Sequence, residues 1–224
     1  MSGSRTEREL LDEQIAYYDR RAPEYDVTSS PDGDPFAADT VVIRAELRAL
    51  APLGRVLEIA AGTGQWTGQL AELADELTAL DASPQMLRLN AEKVGDERVR
   101  YMEADVFAIP PRPAYDLVFF GFWLSHVPPA IFDEFWQRVA GWLVPGGRVF
   151  FVDERRHGLW REEHFDEPTI VRRRLLDGSE HRLVKVLWSG RELQDALRHR
   201  AWRVDVSEVG PFYWGTGSPP PSEA

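Results

Sequence analysis

The chain has 224 residues, which is enough for one domain with a substantial hydrophobic core. Its formal net charge of −11 at pH 7 argues against nucleic acid as the main partner, because phosphate binding needs a basic surface. The absence of cysteine excludes disulfides and thiolate metal sites, and we expect no metal. No apolar run reaches the roughly 18 residues of a membrane span and no signal peptide is visible, so we expect no membrane partner and a cytoplasmic location.

The first 39 residues are predicted to hold a helix followed by a loop. Leu11, Ile15 and Tyr18 recur at helical spacing within the charged segment 5–20. Residues 28–35 are rich in Ser, Pro, Asp and Gly, a composition typical of a loop. A second helix is expected over residues 41–50, just before the first strand.

A strand, a tight turn and the start of a helix are predicted over residues 55–74. The apolar run 56–59 leads into small residues that include Gly62 and Gly64. Glycine suits such a turn because a Cβ would hold the backbone away from a ligand or forbid positive φ. The free N–H groups at the start of the following helix can then face that ligand.

Strands and helices alternate through the middle of the chain, which predicts right-handed crossovers and a parallel sheet. Ser83 and Pro84 have the residue types of a helix cap and first helical position. The predicted strands are 55–60, 77–81, 99–104, 116–122 and 148–152, and the helices between them are 65–74, 85–93 and 131–143, with a turn at 145–147.

The pattern changes after residue 154. A strand is predicted over 180–188, and Ser189 is expected to cap a helix over 189–199. Two closing strands are predicted over 202–209 and 211–214. Residues 215–224 are rich in Gly, Pro and Ser, so we expect a flexible tail there.

Acidic residues mark the ends of three successive predicted strands. Glu58 lies just before the glycine turn, Asp81 ends the second strand, and Asp105 follows the third. The carboxyl ends of parallel strands share one edge of a sheet, where open α/β folds bind ligands. The three carboxylates are therefore expected at one site.

The run 58–64 (E-x-A-x-G-T-G), the strand-ending Asp81 and the step 104–106 (Ala-Asp-Val) resemble the class I S-adenosylmethionine (SAM)-dependent methyltransferases. The likeness is to the small-molecule branch near the ubiquinone and menaquinone methyltransferases. The string 17–26 also resembles the N-terminal segment of that family. The resemblance implies a Rossmann-like α/β fold. Its sheet would be mostly parallel and seven-stranded, with an antiparallel C-terminal strand and helices on both faces.

The resemblance also implies how the chain is divided. Residues 1–39 would form a lid and loop, and residues 40–214 the methyltransferase domain. Within that domain, segment 154–180 would help to wall the acceptor pocket. The tail would occupy residues 215–224.

The cofactor implied by the resemblance is SAM, with S-adenosylhomocysteine (SAH) as its product. Glu58 would bind the methionine ammonium, Asp81 the two ribose hydroxyls, and Asp105 the adenine amino group. A plain core role is about equally open for Met86. The full set predicted to bind the cofactor is Tyr18, Tyr25, Glu58, Ala60, Gly62, Gly64, Asp81, Ala82, Met86, Asp105, Val106 and Phe107.

His126 is the candidate catalytic residue. It follows the fourth predicted strand, and its ordinary pKa suits proton removal near neutral pH. The resemblance leaves two roles open for this histidine, a general base or a structural residue bonded to a backbone carbonyl.

A small-molecule acceptor is expected, and the aromatic residues of the chain favour an aromatic or heteroaromatic ring. The residues predicted to bind it are Trp123, His126, Arg155, Trp160 and Tyr213. Two roles are open for the arginines at 155, 156 and 172–174, which are selection of an anionic acceptor and ion pairing with nearby acids. Methyl transfer to oxygen or nitrogen is expected, by a monomer or homodimer.

Two other functions fit parts of the sequence. A nicotinamide-dependent oxidoreductase would need a third glycine at the position of Thr67, and Asp105 has no role in it. A non-catalytic SAM-binding protein is the other alternative. A nucleic-acid methyltransferase is disfavoured by charge and by the run 121–124, which lacks an Asn-Pro-Pro-Tyr type motif.

Overall fold

The computed structural model describes residues 7–29, 36–156 and 165–221. Its helices are α1 Glu7–Arg21, α2 Tyr25–Ser29, α3 Ala37–Ala49, α4 Thr67–Leu73, α5 Pro84–Val94, α6 Phe132–Trp142 and α7 Gly190–Arg198. Its strands are β1 Arg55–Ile59, β2 Glu76–Asp81, β3 Val99–Glu103, β4 Tyr115–Gly121, β5 Leu143–Glu154, β6 Phe165–Glu167, β7 Ile170–Arg174, β8 Glu180–Val184, β9 Arg203–Val209 and β10 Phe212–Ser218. Short 3-10 helices occupy Ala22–Glu24, Leu124–His126 and Pro129–Ile131. None of the helices in these ranges is long and apolar enough to cross a membrane.

The central sheet has seven strands in the order β3-β2-β1-β4-β5-β10-β9. Strands β1 to β5 run parallel to one another, whereas β10 is antiparallel to both β5 and β9. The predicted fold class is therefore confirmed. The strand order reverses between β1 and β4, which opens a crevice at the carboxyl ends of these strands.

Strand β4 holds the middle of this sheet because it is buried on both faces. Val118 and Phe120 pack in the cluster that contains α6, and Leu117 and Phe119 pack in the cluster that contains α3 and α4. The Phe120 ring lies 5.2 Å from that of Phe135 in an edge-on contact. Full burial of such a side chain is worth ~1.5–3 kcal/mol, so the position of the β4 carboxyl end is firmly set.

Helix caps follow the residue types in the sequence. The Ser83 side chain accepts a hydrogen bond from Met86 N at 3.1 Å, which starts α5 as predicted. Ser189 and Glu192 form a reciprocal capping box at the start of α7. Both caps confirm predictions made from single serines.

A second sheet of three strands, in the order β6-β7-β8, was not predicted. The sequence indicated one strand over residues 180–188, but β8 ends at Val184 and pairs with β7 in an antiparallel hairpin. Val171 and Leu183 of this sheet bury their side chains against Tyr17 of α1. The small sheet therefore supports α1 rather than extending the central sheet.

The structure also corrects two further predictions, the flexible tail from residue 215 and the turn at residues 145–147. Strand β10 continues to Ser218, so no tail begins at residue 215. A Cβ on Gly215 would lie 2.4 Å from the Phe151 ring, and one on Gly217 would lie 2.1 Å from Arg203 O. These glycines therefore allow β10 to pack closely against its neighbours. The composition of the segment had predicted flexibility instead. Strand β5 likewise includes the predicted turn at 145–147.

Candidate active site

The turn after β1 is built from backbone conformations that small residues adopt most easily. Ala60, Gly62 and Gly64 have positive φ values of 53°, 54° and 88°. The buried Asn90 side chain donates to Gly62 O at 3.2 Å and to Thr67 Oγ1 at 2.9 Å, which holds the turn against α5. A Cβ on Gly64 would lie 2.8 Å from Asn90 Oδ1. Gly64 thus serves packing and, contrary to expectation, does not line the cavity beside the turn.

That cavity has a volume of about 780 Å³, counting its open mouth, and lies at the carboxyl ends of β1 to β4. Most of the residues predicted for the site line it, namely Tyr18, Tyr25, Ala60, Gly62, Asp81, Ala82, Met86, Asp105, Val106, Phe107, Trp123 and His126. The lining residues that were not predicted are Leu11, Gln14, Ile15, Ile59, Leu80, Ser83, Ala104, Gly121 and Phe122. The residues contributed by α1 share one helix face, so their spacing was the available signal.

Asp81 stands where β2 ends and faces the turn. Its Oδ2 accepts a hydrogen bond from Gly62 N and its Oδ1 accepts one from Ser83 N, each at 2.9 Å. Burial raises the pKa of this carboxyl, while backbone hydrogen bonds from Ser83, Gly62 and Ala82 oppose that rise. A carboxylate has about four acceptor positions, so Asp81 keeps acceptor capacity for a ligand.

Asp105 follows β3 and lines the same cavity as Asp81. Its Oδ1 accepts from Phe107 N at 2.9 Å. Its Oδ2 forms an ion pair with Arg8 of α1 at 2.7 Å, and its side chain is 14% exposed. The interaction joins residues 97 positions apart and fastens the start of α1 to the sheet edge.

Glu58 is the most unusual of the three carboxyls. Its side chain is 2% exposed and its Oε2 has no hydrogen-bond partner among the described residues. Burial raises its pKa to about 8, against a lowering by the Thr67 hydrogen bond. Glu58 borders a smaller cavity that it shares with Gly62, Tyr25 and Gly121. A buried carboxyl oxygen without a partner, such as Oε2, is a candidate position for a cationic or donor group of a ligand.

The segment α1–α2 is fastened across the cavity at several further points. Ser83 Oγ donates to Asp19 Oδ1 at 2.7 Å. Thr63 Oγ1 donates to Asp26 Oδ1 at 2.5 Å, and Lys93 pairs with Asp26 Oδ2 at 2.9 Å. Together with Arg8, these contacts hold α1–α2 over the cavity as a strap.

His126 lies in the 3-10 helix after β4 and is 4% exposed. Its Nδ1 is 2.8 Å from Val184 O, and its Nε2 is 2.8 Å from the Tyr18 hydroxyl. Its pKa lies well below the ordinary histidine value, mainly because it is buried and also because of the charges of Lys185, Arg173 and Arg21. The bond to a backbone carbonyl matches the structural alternative for this residue, and a low pKa makes it a weak base.

Buried charges hold the loop that carries His126. Asp153 Oδ2 accepts from Ser125 N at 2.8 Å. Lys185, which is 3% exposed, pairs with Glu154 Oε2 at 2.7 Å and donates to Ser125 Oγ at 3.2 Å. Separating the two charges of such a pair would leave each of them buried without compensation, which is strongly destabilising. These contacts therefore keep the loop in one position. Sequence reasoning missed Ser125 and Lys185, since neither stands in a recognisable motif.

Two residues predicted to bind the acceptor, Arg155 and Tyr213, do not line the cavity. Arg155 pairs with Glu208 at 2.9 Å and donates to Gly210 O at 2.7 Å. Both partners belong to the β9–β10 hairpin, which lies on the side of β5 away from β4. Tyr213 is fully buried in the core, with its ring 6.2 Å from that of Phe151. Trp160 lies outside the described residues.

Most of the arginines considered for an anionic acceptor form ion pairs instead. Arg156 pairs with Glu192, and both Arg172 and Arg174 pair with Glu180. Within the described ranges, no group of three or more His, Asp or Glu side chains is arranged to hold a metal ion.

Comparison with known proteins places this geometry in a family. Residues 56–147 match the family model described as "Methyltransferase domain". A solved structure described as a DhpI–SAM–HEP complex is 39% identical to this chain, covers 96% of this chain and 100% of its own, and superposes with a TM-score of 0.84. A DhpI–SAH complex aligns equally fully, with a TM-score of 0.83.

Curated relatives match only parts of the chain. Demethylmenaquinone methyltransferase of Clavibacter sepedonicus is 37% identical over 49% of this chain and 45% of its own length. Phosphoethanolamine N-methyltransferase 1 of Arabidopsis thaliana is 31% identical over 52% of this chain and 25% of its own. The chain thus spans less than half the length of these curated relatives. The full-length likeness to DhpI, the domain match and the sheet order together show that the chain belongs to the class I SAM-dependent methyltransferases.

Proposed function

We propose that this chain transfers the methyl group of SAM to an oxygen or nitrogen atom of a small molecule. The observation that carries the proposal is the set of three carboxyls, Glu58, Asp81 and Asp105, at successive strand ends around adjoining cavities. Acidic groups at these positions match hydrogen-bond donors spread along one elongated ligand. DhpI, which aligns over its whole length, was solved with SAM and with SAH.

The residues present fit SAM. The orphaned Oε2 of Glu58 is a partner for the ammonium group of the methionine portion. Asp81 retains lone pairs for two ribose hydroxyls. Val106, Phe107 and Met86 supply the apolar wall for adenine beside Asp105.

When bound, SAM supplies a methyl group already activated by its sulfonium, so the protein's task is to bind, to align and to exclude water. The strap α1–α2 excludes water by covering the cavity. Gly121, Phe122 and Trp123, at the end of β4, form the wall nearest to His126 and define where the acceptor enters. A Cβ on Gly121 would lie 2.9 Å from Trp66 Nε1, so this wall is closely packed.

An aromatic or heteroaromatic acceptor fits this end of the cavity best. The aromatic residues Tyr18, Tyr25 and Trp123 line it, and flat rings pack well against aromatic side chains. We further propose that the protein acts in the cytoplasm as a monomer or homodimer. The acidic surface and the lack of cysteine support an intracellular site without nucleic acid as substrate.

The strap yields a kinetic prediction. Arg8→Ala removes the ion pair that fastens α1 to Asp105. SAH is therefore expected to dissociate about threefold faster, which corresponds to the small free energy of a partly exposed ion pair. Stopped-flow displacement of SAH measures this rate. Arg88→Ala, which removes an exposed pair with Glu92 on α5, is the matched control and should leave the rate unchanged. Equal rates in wild type and Arg8→Ala would show that the strap does not gate release.

Turnover tests the proposed function directly. The protein is incubated with SAM and a panel of phenols, heteroaromatic amines, aliphatic amines and carboxylates, and SAH formation is recorded for each. We expect SAH to accumulate with at least one ring-bearing acceptor and not without acceptor. Turnover of aliphatic amines or carboxylates alone would reject the aromatic acceptor, and SAH binding without turnover of any compound would point to a non-catalytic SAM-binding protein.

A further inference from the structure

A chain of two hydrogen bonds at the cavity wall has a direction that the structure determines. Val184 O is a backbone carbonyl and can only accept, so His126 Nδ1, 2.8 Å away, must carry the proton and donate. The pKa of His126 is lowered by burial and by the nearby cations of Lys185, Arg173 and Arg21, so the ring is neutral at pH 7. A neutral imidazole protonated at Nδ1 has a lone pair at Nε2.

The second bond therefore also has a fixed direction. The Tyr18 hydroxyl is 2.8 Å from Nε2, and it must donate its only proton to that lone pair. Tyr18 Oη is left with acceptor lone pairs and no proton to offer. Tyr18 and His126 both line the cavity, so the hydrogen bond between them belongs to its wall, on the segment that follows β4.

We propose that Tyr18 contacts the methyl acceptor as a hydrogen-bond acceptor and selects molecules that carry an O–H or N–H donor, with His126 as the residue that sets the direction of the Tyr18 hydroxyl. The inference rests on the proposed function, because it places the acceptor at the β4 end of the cavity. It assigns Tyr18 to the acceptor rather than to the cofactor. His126 is a positioning residue and not the base in this arrangement.

Tyr25 provides an internal comparison. It lines the same cavity, but its hydroxyl interacts with Ser29 of α2 rather than with His126. Its ring also stacks under the Arg21 guanidinium at 4.7 Å. Removing the Tyr25 hydroxyl thus changes a cavity tyrosine but leaves the hydrogen bonds that link Val184, His126 and Tyr18 in place.

Small aromatic probes test the direction of the hydrogen bond. Protein saturated with SAH is titrated with aniline, phenol and benzaldehyde. Aniline and phenol can donate a hydrogen bond, whereas benzaldehyde can only accept one. Tyr18→Phe is expected to weaken the binding of aniline and phenol about 3- to 10-fold, which corresponds to the loss of one neutral hydrogen bond. The affinities for benzaldehyde and for SAH should stay within about twofold of wild type. Tyr25→Phe removes a cavity hydroxyl that has no part in the Tyr18–His126 hydrogen bond, so it should affect all three probes to the same extent.

Variants of His126 separate a directing role from a merely structural one. In His126→Leu the freed Tyr18 hydroxyl can donate as well as accept, so benzaldehyde should bind more tightly relative to aniline. His126→Gln restores an acceptor for the Tyr18 proton and should restore the preference for donors. A loss of packing alone would weaken all the probes together.

Nitrogen-15 NMR of the wild-type protein checks the premise, since the Nδ1–H tautomer of His126 is required between pH 6 and 8. The proposal is overturned by the Nε2–H tautomer, by equal effects of Tyr18→Phe on all three probes, or by no measurable binding of any probe to the SAH complex. A failure of the proposed function would appear separately, as an absence of SAH binding.

Discussion

Replacing Asp81 by alanine is expected to reduce the affinity for SAH at least about 100-fold, because two hydrogen bonds to a charged group are worth ~1.5–3 kcal/mol each. Asp81 also orders the glycine turn through Gly62 N, which adds to the loss. Isothermal titration with SAH measures the change. The loss should appear in binding, with the folded structure retained, because Asp81 lies at the cavity wall and not in the core.

Asp96→Ala is the matched control for this substitution. Asp96 also accepts a backbone N–H, from Arg98 at 2.9 Å, and pairs with the Arg98 guanidinium, but it lies outside the cavity. Its removal should leave the SAH affinity within about twofold. Undiminished SAH binding by Asp81→Ala, with circular dichroism unchanged, would show that the carboxylate at the end of β2 does not hold the ribose.

Binding of SAH is expected to release protons because of Glu58. Its pKa is about 8 in the free protein because the side chain is buried, so it is mostly protonated at pH 6.5. An ammonium group beside it favours the carboxylate, so nearly one proton per site should leave on binding at pH 6.5. Titration in phosphate and in Tris, whose ionisation enthalpies differ, measures the number released.

The same shift affects stability with a definite sign. The folded pKa of Glu58 lies above its unfolded value, so the protein binds more protons when folded. The stabilisation is complete below the unfolded pKa and is lost as the pH rises through about 8. Glu58→Gln should therefore melt at a higher temperature than wild type at pH 9, yet bind SAH about 10- to 100-fold more weakly. An unchanged proton release in Glu58→Gln would assign the effect to another group.

The central sheet was predictable because its signals are local. Strands β1, β2 and β4 are short apolar runs, and acids stand at or near the ends of β1, β2 and β3. Since parallel strands bring their carboxyl ends to one edge, three separate acids in the sequence could be assigned to one site.

The three-stranded sheet was not predictable in the same way. Strand β7 has two buried apolar residues, Ile170 and Val171, followed by three arginines, which is a weak strand pattern. Its core is completed by Tyr17 of α1, which is distant in sequence. Tertiary packing of this kind overrides local preference, and nothing in the segment itself indicates the partner.

The contacts that shape the site were hidden for a related reason. The pairs Arg8–Asp105 and Lys185–Glu154, and the bond from Tyr18 to His126, each join segments far apart in the chain. Residue type alone shows that such groups need partners, but not which ones. His126 is the clearest case, because its partner on β8 decides its tautomer and so its chemistry.

Titration of the wild-type protein with SAH and, separately, with NADH distinguishes a SAM site from a dinucleotide site in this cavity. We expect micromolar binding of SAH and none of NADH, since the turn has Thr67, bonded to Asn90, where a dinucleotide site needs glycine. Binding of NADH without SAH, or binding of neither, would contradict the assignment of this cavity to SAM.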